Sequence, residues 1–572
     1  MLGRRFKWIV RLFLLGSLAF SAWFWLAGPD IAEESYLDLN ISGSYSEARP
    51  SGLLGNLFRQ GRTLTDILDS LRKVRYDGRI KGVVARVGSL DAGWAQTQEI
   101  RNALSLVKAE GKRVIALVEV EMAPANKELY LASVADKVFI APATDALFNG
   151  LSAHFVFLGG VWPKVDVQMQ VEQIREYKSA GDQLSRDSMS DAHREMADAL
   201  LDDSHSHLVQ TVAAARNLTV SEVQSLADRC LSRPQDLVAS GLADGIKSRG
   251  EILVDLGKDG KKAPVVSESD YEGVTLASLG IGDGPKIAVV HANGAIQTGE
   301  SPRGQGGAMG SRSIAEAIED AAEDTAISAI VLRVASPGGS PSGSDEIWLQ
   351  LREAAKVKPV IASLGDVAAS GGYYIASGAD RILASPGTIT GSIGVVLFKP
   401  NVAALLERVG INTETLSRGR YSRLMDVDKP FDEEELVVVR RQMDGIYQLF
   451  LDRVASGRKI DAVAVDKIGG GRVWTGQQAL TRGLVDEIGG FNDAVRAAAA
   501  AAGIHDADKV RLVHYPKGNT LGERLVQGRA QLLENLQPPL MQAITRHLGD
   551  LDTVLGLEPG VQAVLAGVPV IE

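Results

Sequence analysis

Ser370 stands in the run Ala368-Ala369-Ser370-Gly371-Gly372-Tyr373, after an apolar, β-compatible stretch at 359–362 and before a short helical one. A serine at such a strand-to-helix elbow lies near the positive end of a helix, where backbone N–H groups lack intrahelical acceptors. The glycines after it let backbone approach a bound group closely. That combination suits a nucleophile beside an oxyanion site. The same residues also fit a serine N-cap followed by glycines that pack a helix on a sheet. A nucleophilic serine needs a base. None of the eight histidines stands in a motif poised for that work, and His205-x-His207 points two rings to separated azimuths of a helix, which reads as solvated surface. Lysine is the other known base for serine. Tyr177-Lys178-Ser179-Ala180 stands out after the strand-like residues 168–171, although a lysine at such a place is ordinarily a surface charge.

The elements that must position these residues alternate between strand and helix patterns. Residues 36–41, 82–87 and 113–118 read as strands, and 64–74 and 97–108 as helices, which indicates an α/β architecture. The second half repeats the order. Arg86 and Arg333, Tyr130 and Tyr374, and Gly241 and Gly483 mark matching blocks 247, 244 and 242 residues apart, the signature of a tandem duplication. The repeat supplies an internal control. Where the second copy has Ser370-Gly371-Gly372, the first has Asn126-Lys127-Glu128; where the second has Ser336-Pro337-Gly338-Gly339-Ser340, the first has Ser89-Leu90-Asp91-Ala92-Gly93. Glycines needed only for packing should persist in both copies. Their joint absence from one favours chemistry in the other.

The chain has 572 residues and a net charge of −10, without a basic stripe in its body, which argues against nucleic acid as a partner. Its one cysteine, Cys230, excludes an internal disulfide and a cysteine-based zinc site. Arg4, Arg5, Lys7 and Arg11 precede an uncharged, apolar run at 12–29, which predicts an uncleaved signal-anchor with the N-terminus in the cytoplasm and the body outside. The organisation expected is a basic segment at 1–11, a transmembrane helix at 12–29, a first repeat at 30–247, a linker at 248–285, a second repeat at 286–515 and a helical tail at 516–572.

Four motifs together resemble signal peptide peptidase A in its long, duplicated form: Ser336-Pro337-Gly338-Gly339-Ser340, Ala368-Ala369-Ser370-Gly371-Gly372-Tyr373, Thr390-Gly391-Ser392-Ile393-Gly394 and Tyr177-Lys178-Ser179-Ala180. The resemblance runs from the anchor to about residue 500. It implies a serine endopeptidase with a Ser–Lys dyad and no cofactor. Ser370 would be the nucleophile, Lys178 the general base, Ser392 the residue that orients the lysine, and Gly338 and Gly371 the backbone oxyanion donors. It further implies two tandem crotonase-like ββα spiral domains, a homotetramer, single-pass attachment to a bacterial inner membrane with contact to lipid through the N-terminal helix, and signal-peptide remnants and other short hydrophobic peptides as substrates. Asp366 departs from the pattern and is expected to point away from the site, since a carboxylate beside Lys178 would favour its charged form. Two other readings are an acyl-CoA enzyme of crotonase type, which also uses paired backbone N–H donors, and a catalytically silent membrane scaffold.

Overall fold

The computed structural model describes residues 31–47, 62–302 and 307–516, together with the backbone of 560–564 and 570–571. The first copy is built on strands β1 (Ser35–Gly43), β2 (Ile80–Leu90), β3 (Arg113–Val118) and β4 (Lys137–Ile140), with helices α1 (Leu64–Tyr76), α2 (Trp94–Ala109) and α3 (Asn126–Ala132) between them. All pairings in this sheet are parallel, and Val265–Ser267 and Gly245–Ile246 close its two edges. Strand β5 (Gln168–Gln173) and the 26-residue helix α4 (Asp191–Arg216) follow.

The second copy repeats the plan with β6 (Lys286–Asn293), β7 (Ile327–Ser336), β8 (Val360–Ala369) and β9 (Arg381–Ala384), paired in the same order and again parallel. Its helices are α5 (Ser311–Glu323), α6 (Pro341–Ala354), α7 (Gly371–Ala376), α8 (Glu433–Arg458) and α9 (Phe491–Ala501), and its strand β10 (Val396–Asn401) leaves the main sheet. The duplication extends to fine detail. Helices α4 and α8 have the same length and end on left-handed residues, Asn217 and Lys459, each with φ of 56°.

Parallel central strands are buried on both faces and so read as unbroken apolar runs. Successive side chains of β6 and β7 alternate between two cores. Ala288, Val290, Ile330 and Leu332 face α5, α6 and α8, whose buried stripes include Ile314, Ile318, Ile347, Leu351 and Val454. Ile287, Val289, Ala329 and Val331 face the other way and join α9 and the helices of the first copy in one continuous core. The two copies are therefore stacked, with the helices of the first beneath the sheet of the second.

A third, mixed sheet stitches them together. Its order is Ala308–Gly310, Ala295–Gln297, Gly338–Gly339, Gly560–Val564, β10 and β5. Strand β5 of the first copy pairs antiparallel with β10 of the second over six residues, from Gln168↔Asn401 to Gln173↔Val396.

Two expectations are corrected. Two self-contained crotonase-like spirals do not describe this chain: it is an α/β protein with one parallel sheet and one mostly parallel sheet, whose edge pair Ile389–Gly391 and Val473–Thr475 is antiparallel, joined by a third, mixed sheet drawn from both halves. The transmembrane helix is not carried forward either. Residues 12–29 lie outside the described residues, and among those described no helix is long and apolar enough to cross a membrane. The expectations built on that anchor fall with it: membrane anchoring of the peptidase, lipid contact through an N-terminal helix, and single-pass placement at a bacterial inner membrane. The tail expected to be helical contributes strands at Gly560–Val564 and Val570–Ile571, and residues 517–559 lie outside the described residues.

Close packing of α8 provides a test of this arrangement. A Cβ on Gly457 would overlap the carbonyl oxygen of Ser377, whereas nothing lies within 4 Å of a Cβ on Gly445 in the same helix. Gly457→Ala should lower the Tm measurably, and Gly445→Ala should leave it unchanged or raise it by the helix-propensity gain of up to ~1 kcal/mol. Thermal unfolding of both variants checks this, and equal effects would contradict the packing.

Candidate active site

Strand β8 delivers Ser370 to the start of α7. The residue has φ of 55° and ψ of −118°, a conformation that L side chains rarely adopt. Such strain, of order 1–3 kcal/mol, persists only where surrounding structure enforces it. Here the Ser370 N–H donates to Gly391 O at 2.7 Å, and its carbonyl accepts from Tyr374 N at 2.8 Å as the first turn of α7. The side chain makes no capping bond to α7. The N-cap reading thus fails on geometry, and the fully buried hydroxyl is turned elsewhere.

It meets Lys178. The Lys178 Nζ donates to Ser370 Oγ at 2.7 Å, to Ser392 Oγ at 2.9 Å and to Ser392 O at 3.0 Å. Lys178 is 1% exposed, and Ser392 is buried with a left-handed φ of 52°. Burial lowers the lysine pKa from its ordinary value to about 7, with no charged neighbour contributing. Solvation of an ammonium is lost in such a place and no counter-charge replaces it, so the neutral amine gains.

The lysine reaches the serine because both copies make room. Strand β5 is held against β10, and the chain then turns at Tyr177, whose N–H donates to Gly470 O at 3.2 Å. Gly471 has φ of 84°, and a Cβ there would overlap the backbone nitrogen of Lys178. A Cβ on Gly394 would come within 3.2 Å of Lys178 Cδ. The glycine run 469–471 is a signal in the sequence that motif reading passed over; three consecutive glycines mark a close approach of backbone to something else.

On the other side of Ser370, the elbow rests on the Ser336–Gly339 turn. A Cβ on Gly371 would lie 2.6 Å from Ser344 Oγ and 3.1 Å from Gly338 Cα, and one on Gly372 would lie 2.5 Å from Ser336 O. The glycines therefore bring the Gly371 and Gly338 backbones together. The Gly371 N–H is in the first turn of α7, where no intrahelical acceptor exists. The Gly338 N–H donates to Ser336 Oγ at 3.2 Å.

In the first copy the equivalent of Ser370 is turned to structure. Asn126 donates to Asn149 Oδ1 and Gly150 O and accepts from both backbone N–H groups. Asp366 faces away from Lys178 and accepts from the Gln96 N–H at 3.0 Å. A cavity of about 1310 Å³, bordered by Arg72, His291 and Tyr515, contains neither Ser370 nor Lys178. Among the described residues no cluster of metal-ligating side chains occurs.

The chain is similar to known peptidases. The profile of Peptidase family S49 matches residues 107–262 and 352–505, the first span holding Lys178 and the second Ser370 and Ser392. The chloroplastic serine protease SPPA of Arabidopsis thaliana is 33% identical over 547 residues, covering 94% of this chain and 78% of its own length. Protease 4 of Salmonella typhi is 31% identical over 503 residues, covering 85% and 79%. Among solved structures, a membrane-bound stomatin-specific protease (1510-N) matches 41% of this chain and 98% of its own at 15% identity, with a TM-score of 0.26, too low to name a shared fold. The family match over more than half the chain and the relatives that align along most of it place the protein in peptidase family S49, and it is a serine endopeptidase.

Proposed function

We propose that this endopeptidase cleaves extended peptide segments through an acyl-enzyme formed on Ser370, with Lys178 as its general base. The observation that carries the reading is the 2.7 Å contact between the Lys178 amine and the Ser370 hydroxyl, made where no carboxylate or histidine attends either group. A free lysine has a pKa of ~10.4, so roughly one in 10³ is neutral at pH 7; with a pKa of about 7, half is. The difference corresponds to destabilising the ammonium by on the order of 5 kcal/mol, within the range that full burial supplies.

Neutral Lys178 takes the Ser370 proton as Oγ attacks the peptide carbonyl carbon. The oxyanion so formed accepts from the N–H groups of Gly371 and Gly338, the latter exchanging its Ser336 hydroxyl for the substrate. The Lys178 ammonium then protonates the departing amine, leaving an ester on Ser370. Lys178 next takes a proton from water, whose oxygen attacks the ester, and returns that proton to Ser370 as the acid product leaves. Ser392 holds the amine through both its hydroxyl and its carbonyl and keeps it aimed at Ser370.

An extended substrate suits the surrounding strands. The gap between Gly338–Gly339 and β10 accepts a strand antiparallel to both, and in the structure the chain's own Gly560–Val564 lies there, with Val564 opposite Gly338 and Gln562 opposite Val396. Recognition by strand addition draws affinity from backbone hydrogen bonds and leaves side-chain choice to flanking pockets.

Ser370→Ala and Lys178→Ala should each lower kcat/KM for a peptide by roughly 10³-fold or more while leaving the fold intact. Steady-state assay beside circular dichroism checks this; a turnover within tenfold of wild type in either variant removes the dyad. A chain ended at residue 559 should show a lower KM for short peptides at unchanged kcat, because the gap is then vacant. An unchanged KM would show that substrate does not enter along Gly338–Gly339.

A further inference from the structure

Ser370 and Lys178 are 192 residues apart and come from different copies, so their contact depends on how one copy is seated on the other. The seat is unusual. Asp366 lies four residues before Ser370 on β8, and its carboxylate crosses to the first copy. There it accepts from Gln96 N, and a Cβ on Gly93 would overlap it. It thus fills the N-terminal end of α2. That helix has Gly93 as its N-cap, no capping side chain and no acidic residue in its first turn. A helix start leaves N–H groups unsatisfied and attracts negative charge, and here the other copy supplies it.

The exchange is reciprocal. Glu99, on α2, accepts at 3.1 Å from Phe491 N at the start of α9, and a Cβ on Gly490 would lie 2.5 Å from Glu99 Cγ. Gln98 accepts from Gly387 N at 2.9 Å. Between Glu99 and Glu47 sits Arg333, 1% exposed. Its guanidinium holds Glu47 through two bonds of 2.8 and 3.0 Å and Glu99 through one of 2.8 Å, and it also donates to Ser363 Oγ on β8 at 2.9 Å. Arg333 is three residues before Ser336. The cluster therefore grips both strands that end in the active site, β7 with the Ser336–Gly339 turn and β8 with Ser370. The duplicate arginine, Arg86, has no such role; it is half-buried and pairs loosely with Asp38 and Glu119 at 3.4 and 3.9 Å.

We propose that Asp366, Glu99, Glu47 and Arg333 are positioning residues for the peptidase reaction, a buried ionic seam that seats the serine-bearing copy on the lysine-bearing one. The proposal rests on reading Ser370 and Lys178 as the dyad. The first copy's decayed counterpart of the Ser336–Ser340 turn has thereby become a socket: Gly93, at the place of Ser340, leaves open the helix start that Asp366 occupies.

The seam also holds protons. The Arg333 guanidinium pairs with buried Glu99 and half-buried Glu47, half-buried Asp366 lies within its field, and the neighbouring His291, stacked on His514, stays neutral because burial lowers its pKa to about 3. Burial raises Glu99 to about 7 and Asp366 to about 6. For Glu47, burial opposes the charge, but the paired Arg333 outweighs it and the pKa is lowered. Carboxylates raised in the folded state bind protons more tightly there than when unfolded, so their contribution is complete below about pH 4 and is lost as pH rises through 6 to 7.

The test compares Asp366→Ala with Asp366→Asn, which keeps an oxygen for the Gln96 N–H, and with Gly93→Ala, which displaces the same carboxylate from the opposite side. Each is assayed for kcat and KM, and for the rate at which a fluorophosphonate labels Ser370. Expected are a kcat and labelling rate reduced about tenfold or more in Asp366→Ala and Gly93→Ala with KM little changed, and recovery to within about threefold of wild type in Asp366→Asn. Wild-type kcat in folded Asp366→Ala and Gly93→Ala would overturn the proposal, while active Lys178→Ala would instead remove the dyad reading on which it rests. A second measurement uses Glu99→Gln, which cannot titrate. Its Tm should fall less between pH 5.5 and 8 than that of wild type; parallel curves would overturn the proton-holding seam.

Discussion

A lysine amine buried without a counter-charge is the constraint on which this structure depends. The ammonium form of Lys178 has lost its water and gained only hydroxyl and carbonyl acceptors, so its proton is held weakly. Any carboxylate placed beside it would restore the charge and abolish the base. The surrounding fold obeys that rule. The acidic groups nearest in sequence to Ser370 are led away: Asp366 points into the first copy, and Asp380 accepts from the Val360 N–H at 2.9 Å. What remains around the amine is glycine backbone, two serines and apolar wall.

Assembling that pocket from two copies explains the mixed sheet and the placement of glycines. A base on its own copy's surface would be solvated. A base inserted from the other copy is desolvated by the act of docking, and the β5–β10 pairing carries it in. Gly394 and Gly471 then serve the approach of Lys178, while Gly371 and Gly372 serve the approach of the Ser336–Gly339 turn. On the mechanism proposed, the distinction between packing and catalytic glycines dissolves, because close packing is what brings the Gly338 and Gly371 backbones together. Base and seam respond to pH in opposite senses. Raising the pH frees the amine of Lys178 and at the same time charges Glu99 and Asp366 between the copies.

Much of this was legible in the sequence. The strand pattern, the duplication and the elbow at Ser370 follow from apolar runs, repeated blocks and a serine followed by glycines, all local signals. The divergent twin at Asn126 points to chemistry at Ser370, and in the structure Asn126 closes a loop through Asn149 and Gly150. Lys178 could not be assigned from its own neighbourhood, since a lysine in a turn looks the same whether it meets water or a serine 192 residues away. Only the resemblance supplied it. The run at 469–471 was readable and was passed over, because a glycine run announces a close approach without saying to what. The crossing of Asp366 and Glu99 between copies depends on tertiary seating alone. The crotonase-like spirals failed because motifs identify a site more securely than they identify the path of the chain around it.

On the mechanism proposed, Lys178 is a desolvated amine that acts on Ser370 in its neutral form. The most direct measurement is the pH dependence of the single-turnover rate at which an activated ester acylates Ser370 in the wild-type protein. The rate should rise tenfold per pH unit in the acid range, bend at a single midpoint near 7 and stay flat above it. A midpoint near the ~10.4 of a solvated lysine, or a rate indifferent to pH, would contradict it.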